Sequence, residues 1–414
     1  MKVHMIMAAL AAASLSAQGV AQQGEESLER ALADLNSGLT ASAASNVDIS
    51  GDARIRNLYT SGGDSKSIDA RYRLRFSFQV NEQVGGTLGF TGFENWGSQV
   101  VDKSVVPNDN NIDTRVDLAY FHAHDVFGDG GTMTVGRKYF TLGSGRILGS
   151  DDWDQAPQIQ TGFWYDHEAG GANIQVFMLN SQHDDDAAGS IGDLVPAQDD
   201  LWGLTFDWST EGEGPMGNLH VSPYILSGRS SGIGLEDGYY LGALLAGDLA
   251  GFGWDAEWAT QDEGGDAYAI STTIGLDALS AIPGVEDGGL MVQVTGADDD
   301  FAPVQYPWGS QGAIRHGVAS LRDFLPNGVW SSDTDTMTAQ LGFAPGESWN
   351  GKLSYWAIEN AGADTSAWDL QLGTTLGGAV DLWIGYSHTS SDDVGGAGAA
   401  ADDDIIWTTL GLSF

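Results

Sequence analysis

A strict two-residue alternation runs through residues 71–80. Its apolar members are Tyr72, Leu74, Phe76, Phe78 and Val80, and its polar members are Arg71, Arg73, Arg75, Ser77 and Gln79. Because successive side chains of a strand point to opposite faces, one face is apolar and the other carries three arginines. No soluble core accepts the arginine face, whereas a tilted strand of about 9–11 residues crosses a bilayer. The segment therefore predicts a strand that faces lipid on one side and water on the other.

The same period recurs along the chain from Val47 to the last residue. Strand-like segments lie at 48–59, 71–80, 84–95, 112–124, 132–141, 159–167, 172–180, 201–210, 217–228, 238–248, 251–261, 266–276, 289–296, 334–344, 349–360, 367–377, 379–389 and 404–414. They number about 18, and single-chain bacterial barrels have an even number of strands. The last segment ends on the bare aromatic Phe414, the usual finish of such barrels. We predict an all-β transmembrane antiparallel barrel of about 18 strands over residues 47–414.

Short and long connections alternate between these segments. The short ones lie at 81–83, 127–131, 168–171, 248–251, 344–348 and 377–379, and the long ones at 97–111, 142–158, 181–200, 297–333 and 390–403. If the chain starts in the periplasm, all these short links are periplasmic and all these long ones extracellular. That asymmetry is expected of outer-membrane barrels. The connection at 278–287 is longer than its periplasmic place predicts, so a miscounted hairpin stays open there.

The amino terminus indicates export. Residues 1–21 have the pattern of a signal peptide, because Lys2 and His4 precede an apolar run and a small-x-small motif ends at Ala21. Residues 22–46 contain apolar side chains at helical spacing from Leu28, which predicts a short helix. This helix leads into the barrel, sits in the pore or mediates oligomerisation. The chain contains no Cys and therefore no disulfide framework. We predict a location in the bacterial outer membrane.

Aromatic residues are abundant near the predicted strand ends. They are Trp96, Tyr139, Phe140, Phe163, Trp164, Tyr165, Trp202, Trp208, Tyr239, Tyr240, Trp254, Trp258, Tyr355, Trp356, Trp383 and Trp407. In membrane barrels such residues form girdles at the two membrane–water interfaces. We therefore predict interfacial girdles, with outer-membrane lipid as the barrel's partner.

The net charge of −40 excludes nucleic acid as a partner, because phosphate binding requires clustered Lys and Arg. Runs of three Asp at 184–186, 298–300 and 402–404 lie between predicted strands, so the acidity is concentrated in predicted loops. Two interpretations of these loops stay open. They are solvated surface, or they bind divalent ions at the cell surface.

The few basic residues are distributed unevenly. After residue 150 they are only Arg229, Arg315, Arg322 and Lys352. Arginines spaced two apart share a strand face, and antiparallel neighbours place such sets side by side. We predict that the pore is lined by Arg54, Arg56, Arg71, Arg73, Arg75 and Arg115. Two compatible roles are open: a brace of Arg–Asp pairs involving Asp52, Asp69, Asp113 and Asp117, or an electropositive strip that guides anionic solutes.

Residues 136–155 carry glycines, arginines and aspartates together, a composition that suits a loop folding inward to narrow the bore. The run resembles the alginate-export outer-membrane proteins, which have a Gly-Arg strand end followed by a Gly…Arg…Gly…Asp-Trp…Gln run. The resemblance covers about 35 residues and implies an 18-stranded barrel that passes an anionic polysaccharide through an arginine-lined constriction. Carried over by position, it implicates Arg137, Arg146, Asp151, Asp152 and Trp153 in the constriction.

Other chemical motifs are weak. His122 and His124 share a strand face at a spacing that metals accept, but no third ligand is evident. No nucleophile elbow or phosphate loop is present, so we expect neither an enzyme nor a cofactor. We predict a porin that passes small or anionic solutes, saccharides among them, by passive or facilitated diffusion. The alternatives are a structural surface barrel with acidic ion-binding loops and little conductance, or a secreted enzyme or lectin. Oligomerisation stays open.

Overall fold

The computed structural model describes residues 47–61, 65–95, 113–150, 159–182, 198–210, 216–230, 235–249, 251–262, 264–275, 288–301, 330, 333–345, 348–360, 363–391 and 402–414. The predicted signal peptide and amino-terminal helix lie outside these residues. The described strands are β1 (Val47–Thr60), β2 (Ser65–Gln79), β3 (Val84–Asn95), β4 (Asp113–His124), β5 (Thr132–Lys138), β6 (Gln160–Ala169), β7 (Ala172–Gln182), β8 (Gln198–Thr210), β9 (Met216–Ser230), β10 (Leu235–Leu249), β11 (Phe252–Gln261), β12 (Gly265–Gly275), β13 (Gly288–Ala297), β14 (Thr334–Phe343), β15 (Trp349–Asn360), β16 (Ala363–Leu376), β17 (Val380–Ser391) and β18 (Asp402–Ser413).

Each strand pairs antiparallel with the next one in sequence, and the ring closes between the first and last strands. The closing register runs from Asp52 opposite Ser413 to Thr60 opposite Ile405. The predicted 18-strand all-β barrel is thus confirmed. No hairpin was miscounted near residues 278–287, because β12 and β13 are direct neighbours, with Gly275 opposite Gly289.

The two faces of the ring differ in chemistry. Apolar side chains cover the outer face; Ile270 of β12 is 57% exposed there and Leu204 of β8 is 40% exposed. The inner face carries buried polar side chains such as Arg71 and Thr91. A closed ring of strands satisfies the backbone hydrogen bonds of every strand, and its apolar outer face can contact lipid. The predicted outer-membrane location is confirmed on these grounds. In the described residues, no helix is both long and apolar enough to span a bilayer.

Strand β5 is shorter than its sequence pattern predicts. It ends at Lys138, three residues before the predicted end at residue 141. Gly136 has a φ of +132°, a conformation that L side chains rarely adopt, and a Cβ at this position would overlap the Ala119 carbonyl. Strand pairing continues past Gly136 as far as Lys138 opposite Gln160, and the chain leaves the wall after Lys138.

The prediction that all the aromatic residues form interfacial girdles was wrong for several of them. Trp164, Tyr240 and Trp356 are buried, with exposed fractions of 0–2%, and Trp407 is buried as well. Their neighbours Tyr239 and Tyr355 are exposed on the outer face. Consecutive residues of a strand cannot share a face, so one member of each aromatic pair must point inward.

An apolar cluster occupies part of the barrel interior. Its members come from the segment after β5, from the inner faces of many strands, and from two positions between β13 and β14: Phe140, Leu142, Ile147, Leu148, Trp164, Phe177, Leu179, Leu201, Tyr224, Leu226, Tyr240, Ala259, Ala267, Ala269, Met291, Phe301, Trp330, Trp356, Ile358 and Ala367. The ring of Phe140 lies 4.8 Å from that of Phe177 and 5.9 Å from that of Trp164. A segment that follows a wall strand thus packs into the interior.

Candidate pore constriction

Arginines of β1 and β2 face each other on the inner wall. The register places Arg54 opposite Arg71, Arg56 opposite Asp69, and Asp52 opposite Arg73. An arginine thus lies opposite an aspartate in two rows of the pair, and in the row between them two arginines lie opposite each other. The arginine cluster, as we name it, comprises Arg54, Arg56, Arg71, Arg73, Arg75 and Arg115, which all occupy inward positions of β1, β2 and β4.

Ion pairs brace this cluster. Arg56 donates to Asp69 through both Nε, at 2.9 Å, and Nη2, at 2.7 Å, and both side chains are about nine-tenths buried. Asp52 is 2.7 Å from Arg73 and 3.8 Å from Arg71. Charge-assisted bonds of this kind are short and hold planar guanidinium groups in fixed orientations. The inner wall of β1 and β2 thus has both the Arg–Asp pairs and the concentration of arginines that the sequence predicts.

A third carboxylate lies on β4 beside a register shift. The pairing of β3 with β4 slips between Gly89 and Phe90. Asp117, which is fully buried there, accepts hydrogen bonds of 2.5 Å from Thr91 and from Tyr139. The Tyr139 ring lies 5.9 Å from the guanidinium carbon of Arg75. Asp117 therefore ties the first residue after β5 to the arginine cluster.

Charge in this part of the wall is net positive. The cluster contributes six positive charges, and Asp52, Asp69 and Asp117 contribute three negative ones, so these nine side chains have a formal charge of +3. Asp48 and Asp113, at inward positions of β1 and β4, reduce the sum for the inner face of β1–β4 to +1. In the interior of a barrel such charges interact far more strongly than charges at the solvated rim. The field near β1–β4 is therefore opposite in sign to the net charge of the whole chain.

The inner wall on the other side is acidic. Near the periplasmic ends of β8–β12 a cavity of about 360 Å³ is lined by Ser209, His220, Asp248 and Asp255. His220 lies 3.8 Å from Asp207 and shares a 3.0 Å hydrogen bond with Ser209. The described wall thus has a basic sector and an acidic sector.

Residues 139–150, here called the inward loop, cross the interior. Arg146 donates to Glu257 at 2.7 Å, and the two side chains are 1% and 0% exposed. Arg146 follows β5, whereas Glu257 lies on β11, six strands further around the ring. Six of eighteen strands are a third of the circumference, so the loop spans much of the bore. The inward fold expected from its glycines is thus present.

Glu257 receives several donors from the loop and the wall. Its carboxylate accepts from the Ser144 hydroxyl, from the Ser144 backbone N–H at 3.3 Å and from Tyr224 at 3.1 Å, in addition to Arg146. Gly143 has a φ of +57°, and a Cβ there would overlap the carboxylate. Glycine is therefore required for the loop to approach this closely.

The remaining sequence-predicted residues are placed differently. Arg137 lies opposite Ala119 and Thr161, next to Gly136. Its neighbour Lys138 places its ammonium 4.4 Å from the Trp164 ring centroid in the interior. Asp151, Asp152 and Trp153 lie outside the described residues. The structure thus brings together the arginines of β1, β2 and β4, and Arg146 reaches a different sector.

Sequence reasoning missed Glu257 and Tyr224. Glu257 occupies an inward position of β11, between the outward Ala256 and Trp258. Two carboxylates at inward positions of one strand, Asp255 and Glu257, were an available signal. His124, proposed with His122 as a weak metal pair, instead shares a 3.2 Å hydrogen bond with Thr132. Among the described residues, no group of three or more potential ligands could hold a metal.

Solved structures with a similar fold come from two Gram-negative bacteria. OccAB2 of Acinetobacter baumannii is 10% identical with a TM-score of 0.62, covering 89% of this chain and 98% of that chain. OccK3 (OpdO) of Pseudomonas aeruginosa is 13% identical with a TM-score of 0.58, and the match covers 89% of this chain and 96% of that chain. OpdK of the same species, solved with vanillate, is 13% identical with a TM-score of 0.59, and the match covers 89% of this chain and 98% of that chain.

These neighbours are outer-membrane porins of the Occ/OprD family. The chain has an outer-membrane porin fold. No protein-family model matches the chain, and no curated protein matches it. At such low identities the comparison concerns the barrel architecture, and the side chains of the constriction must be interpreted from this chain's own geometry.

Proposed function

We propose that this protein is a non-enzymatic outer-membrane porin that passes small anionic solutes by diffusion. The observation that carries the proposal is the arginine cluster on the inner wall, which together with Asp52, Asp69 and Asp117 has a formal charge of +3 within a chain of net charge −40. An anion crossing the barrel is attracted to this sector, and a cation is repelled from it.

The solutes we favour are small organic anions, acidic saccharides among them. Planar guanidinium groups match the geometry of carboxylates. OpdK, a structural neighbour, was solved with vanillate, an aromatic carboxylate, which supports this solute class. The resemblance of residues 136–155 to the alginate-export proteins supports an acidic saccharide. Both solutes present carboxylates to the same wall.

The test is a planar-bilayer recording of the variant in which Arg71, Arg73 and Arg75 are all replaced by Gln. We expect the reversal potential in a salt gradient to shift toward cation preference, because three of six cluster charges are lost. The matched control is Lys352→Gln, which removes the single basic residue of β15. An unchanged reversal potential in the triple variant would rule out the cluster as the source of selectivity.

A second candidate function is a structural barrel with acidic surface loops and little conductance. The observation that favours it is the apolar cluster, which fills part of the interior with fully buried side chains. The same recording separates the two functions. A folded wild-type protein that inserts but conducts no ions would favour the structural barrel.

A further inference from the structure

The inward loop is held at two points, each of which uses a buried carboxylate of the wall. At its root, Tyr139 donates to Asp117 of β4 at 2.5 Å. At its far end, Ser144 and Arg146 donate to Glu257 of β11. The loop therefore crosses the bore and is attached to the wall at β4 and at β11. The attachment at β11 sets how far the loop extends into the bore.

The far attachment depends on a charge pair. Arg146 also bonds Ser144 at 2.6 Å, and its guanidinium carbon lies 5.7 Å from the Trp330 ring centroid. Among the described residues, Glu257 is the one carboxylate that pairs with Arg146. The Nε and Nη2 atoms of Arg146 have no hydrogen-bond partner in this part of the structure. A buried arginine in this position requires a counter-charge. Glu257 supplies it.

Apolar packing alone does not explain the position of the loop. Leu142, Ile147 and Leu148 are each 1% exposed, but apolar contacts are non-directional and tolerate sliding. The carboxylate of Glu257, in contrast, accepts from donors on both the loop and the wall, which fixes the loop in one register. The polar contacts therefore determine where the loop sits.

We propose that Glu257 is a positioning residue that fixes the inward loop across the bore and thereby sets the size limit for solutes. Because Arg146 and Glu257 neutralise each other, the pair restricts size without adding to the field of the arginine cluster. Selectivity by charge and selectivity by size are then carried by different sectors of the wall. The inference rests on the proposed function insofar as it concerns solutes, while the position of the loop is measurable by itself.

The first experiment measures the position of the loop without using transport. The chain has no Cys, so Leu148→Cys introduces a single buried thiol. We compare its modification by a small charged methanethiosulfonate reagent in the wild-type, Glu257→Gln and Glu257→Ala backgrounds. We expect the rate to rise about tenfold in Glu257→Ala, which corresponds to about 1.4 kcal/mol of closing free energy. The control background is Glu359→Gln, a change at an exposed carboxylate of β15.

The second experiment measures the bore. Reconstituted Glu257→Ala should admit larger neutral sugars in liposome-swelling assays and conduct more than the wild type, with Glu257→Gln between them. Combining Arg146→Glu with Glu257→Arg should restore part of the wild-type limit, because the pair is rebuilt in reverse. Heat-modifiable migration on gels verifies that each variant is folded.

The outcomes separate the two proposals. If the wild type conducts nothing but Leu148→Cys becomes reactive on loss of Glu257, the porin function fails while the positioning role stands. If thiol reactivity and size limit are unchanged in folded Glu257→Ala, the positioning role fails, whatever the conductance. If Glu359→Gln raises the thiol reactivity and the size limit as much as Glu257→Ala does, the effect is not specific to the contact between Arg146 and Glu257, and the proposal is overturned.

Discussion

Replacing Asp69 by Asn should weaken the barrel and strengthen its preference for anions at the same time. The substitution is nearly isosteric, but it removes the carboxylate to which Arg56 donates through Nε and Nη2. Arg54 and Arg71 occupy the adjacent row of the same two strands. Loss of Asp69 therefore leaves more uncompensated positive charge in a buried part of the wall, and the formal charge summed over the six arginines, Asp52, Asp69 and Asp117 rises from +3 to +4.

The magnitude follows from the geometry of the pair. Two unit charges 2.7 Å apart attract by about 6 kcal/mol at an effective dielectric constant of about 20. Desolvation offsets much of this, and breaking a buried pair by removing one partner typically costs about 3–5 kcal/mol. Asp52→Asn should cost less, because the Asp52 side chain is 20% exposed to water, against 8% for Asp69.

Two measurements check this prediction. Guanidinium unfolding of the protein refolded in lipid vesicles, followed by tryptophan fluorescence, gives the loss of unfolding free energy. Reversal potentials in planar bilayers give the anion preference. The control is Asp364→Asn, at an exposed carboxylate of β16. Asp69→Asn with wild-type stability and selectivity would refute the reasoning that this pair is both buried and electrostatically coupled to the pore.

Two further predictions concern the outer face and a periplasmic turn. Leu204→Arg, on the lipid-facing side of β8, should destabilise the barrel by up to about 2–4 kcal/mol in the same unfolding assay, whereas Leu204→Ala should cost less. In the turn between β4 and β5, hydrogen bonds from Tyr165 and then from the Gly131 backbone lower the pKa of Asp129. A lowered pKa stabilises the fold at pH above the ordinary value of 3.8, and this stabilisation is lost as pH falls through the folded pKa. Asp129→Asn should therefore be less stable than wild type at neutral pH, and the difference should vanish in acid; a difference independent of pH would contradict this account.

The alternation of side chains was sufficient to predict the architecture. Segments such as 71–80 show their two faces locally, since the chemistry of each face repeats every second residue. The count of eighteen strands and the orientation of the arginines of β1 and β2 follow from this period. The same rule, applied to adjacent aromatic pairs such as Tyr239 and Tyr240, also predicts that one ring points inward, although the girdle hypothesis overlooked it.

Only the tertiary structure decided which inward side chains meet. Arg146 and Glu257 are 111 residues apart in sequence, and no local pattern links them. Their contact depends on a loop leaving the wall after Lys138 and crossing to a strand a third of the ring away. Periodicity is a property of neighbouring residues, whereas the partners of a loop that enters a closed ring depend on the diameter and register of the whole barrel.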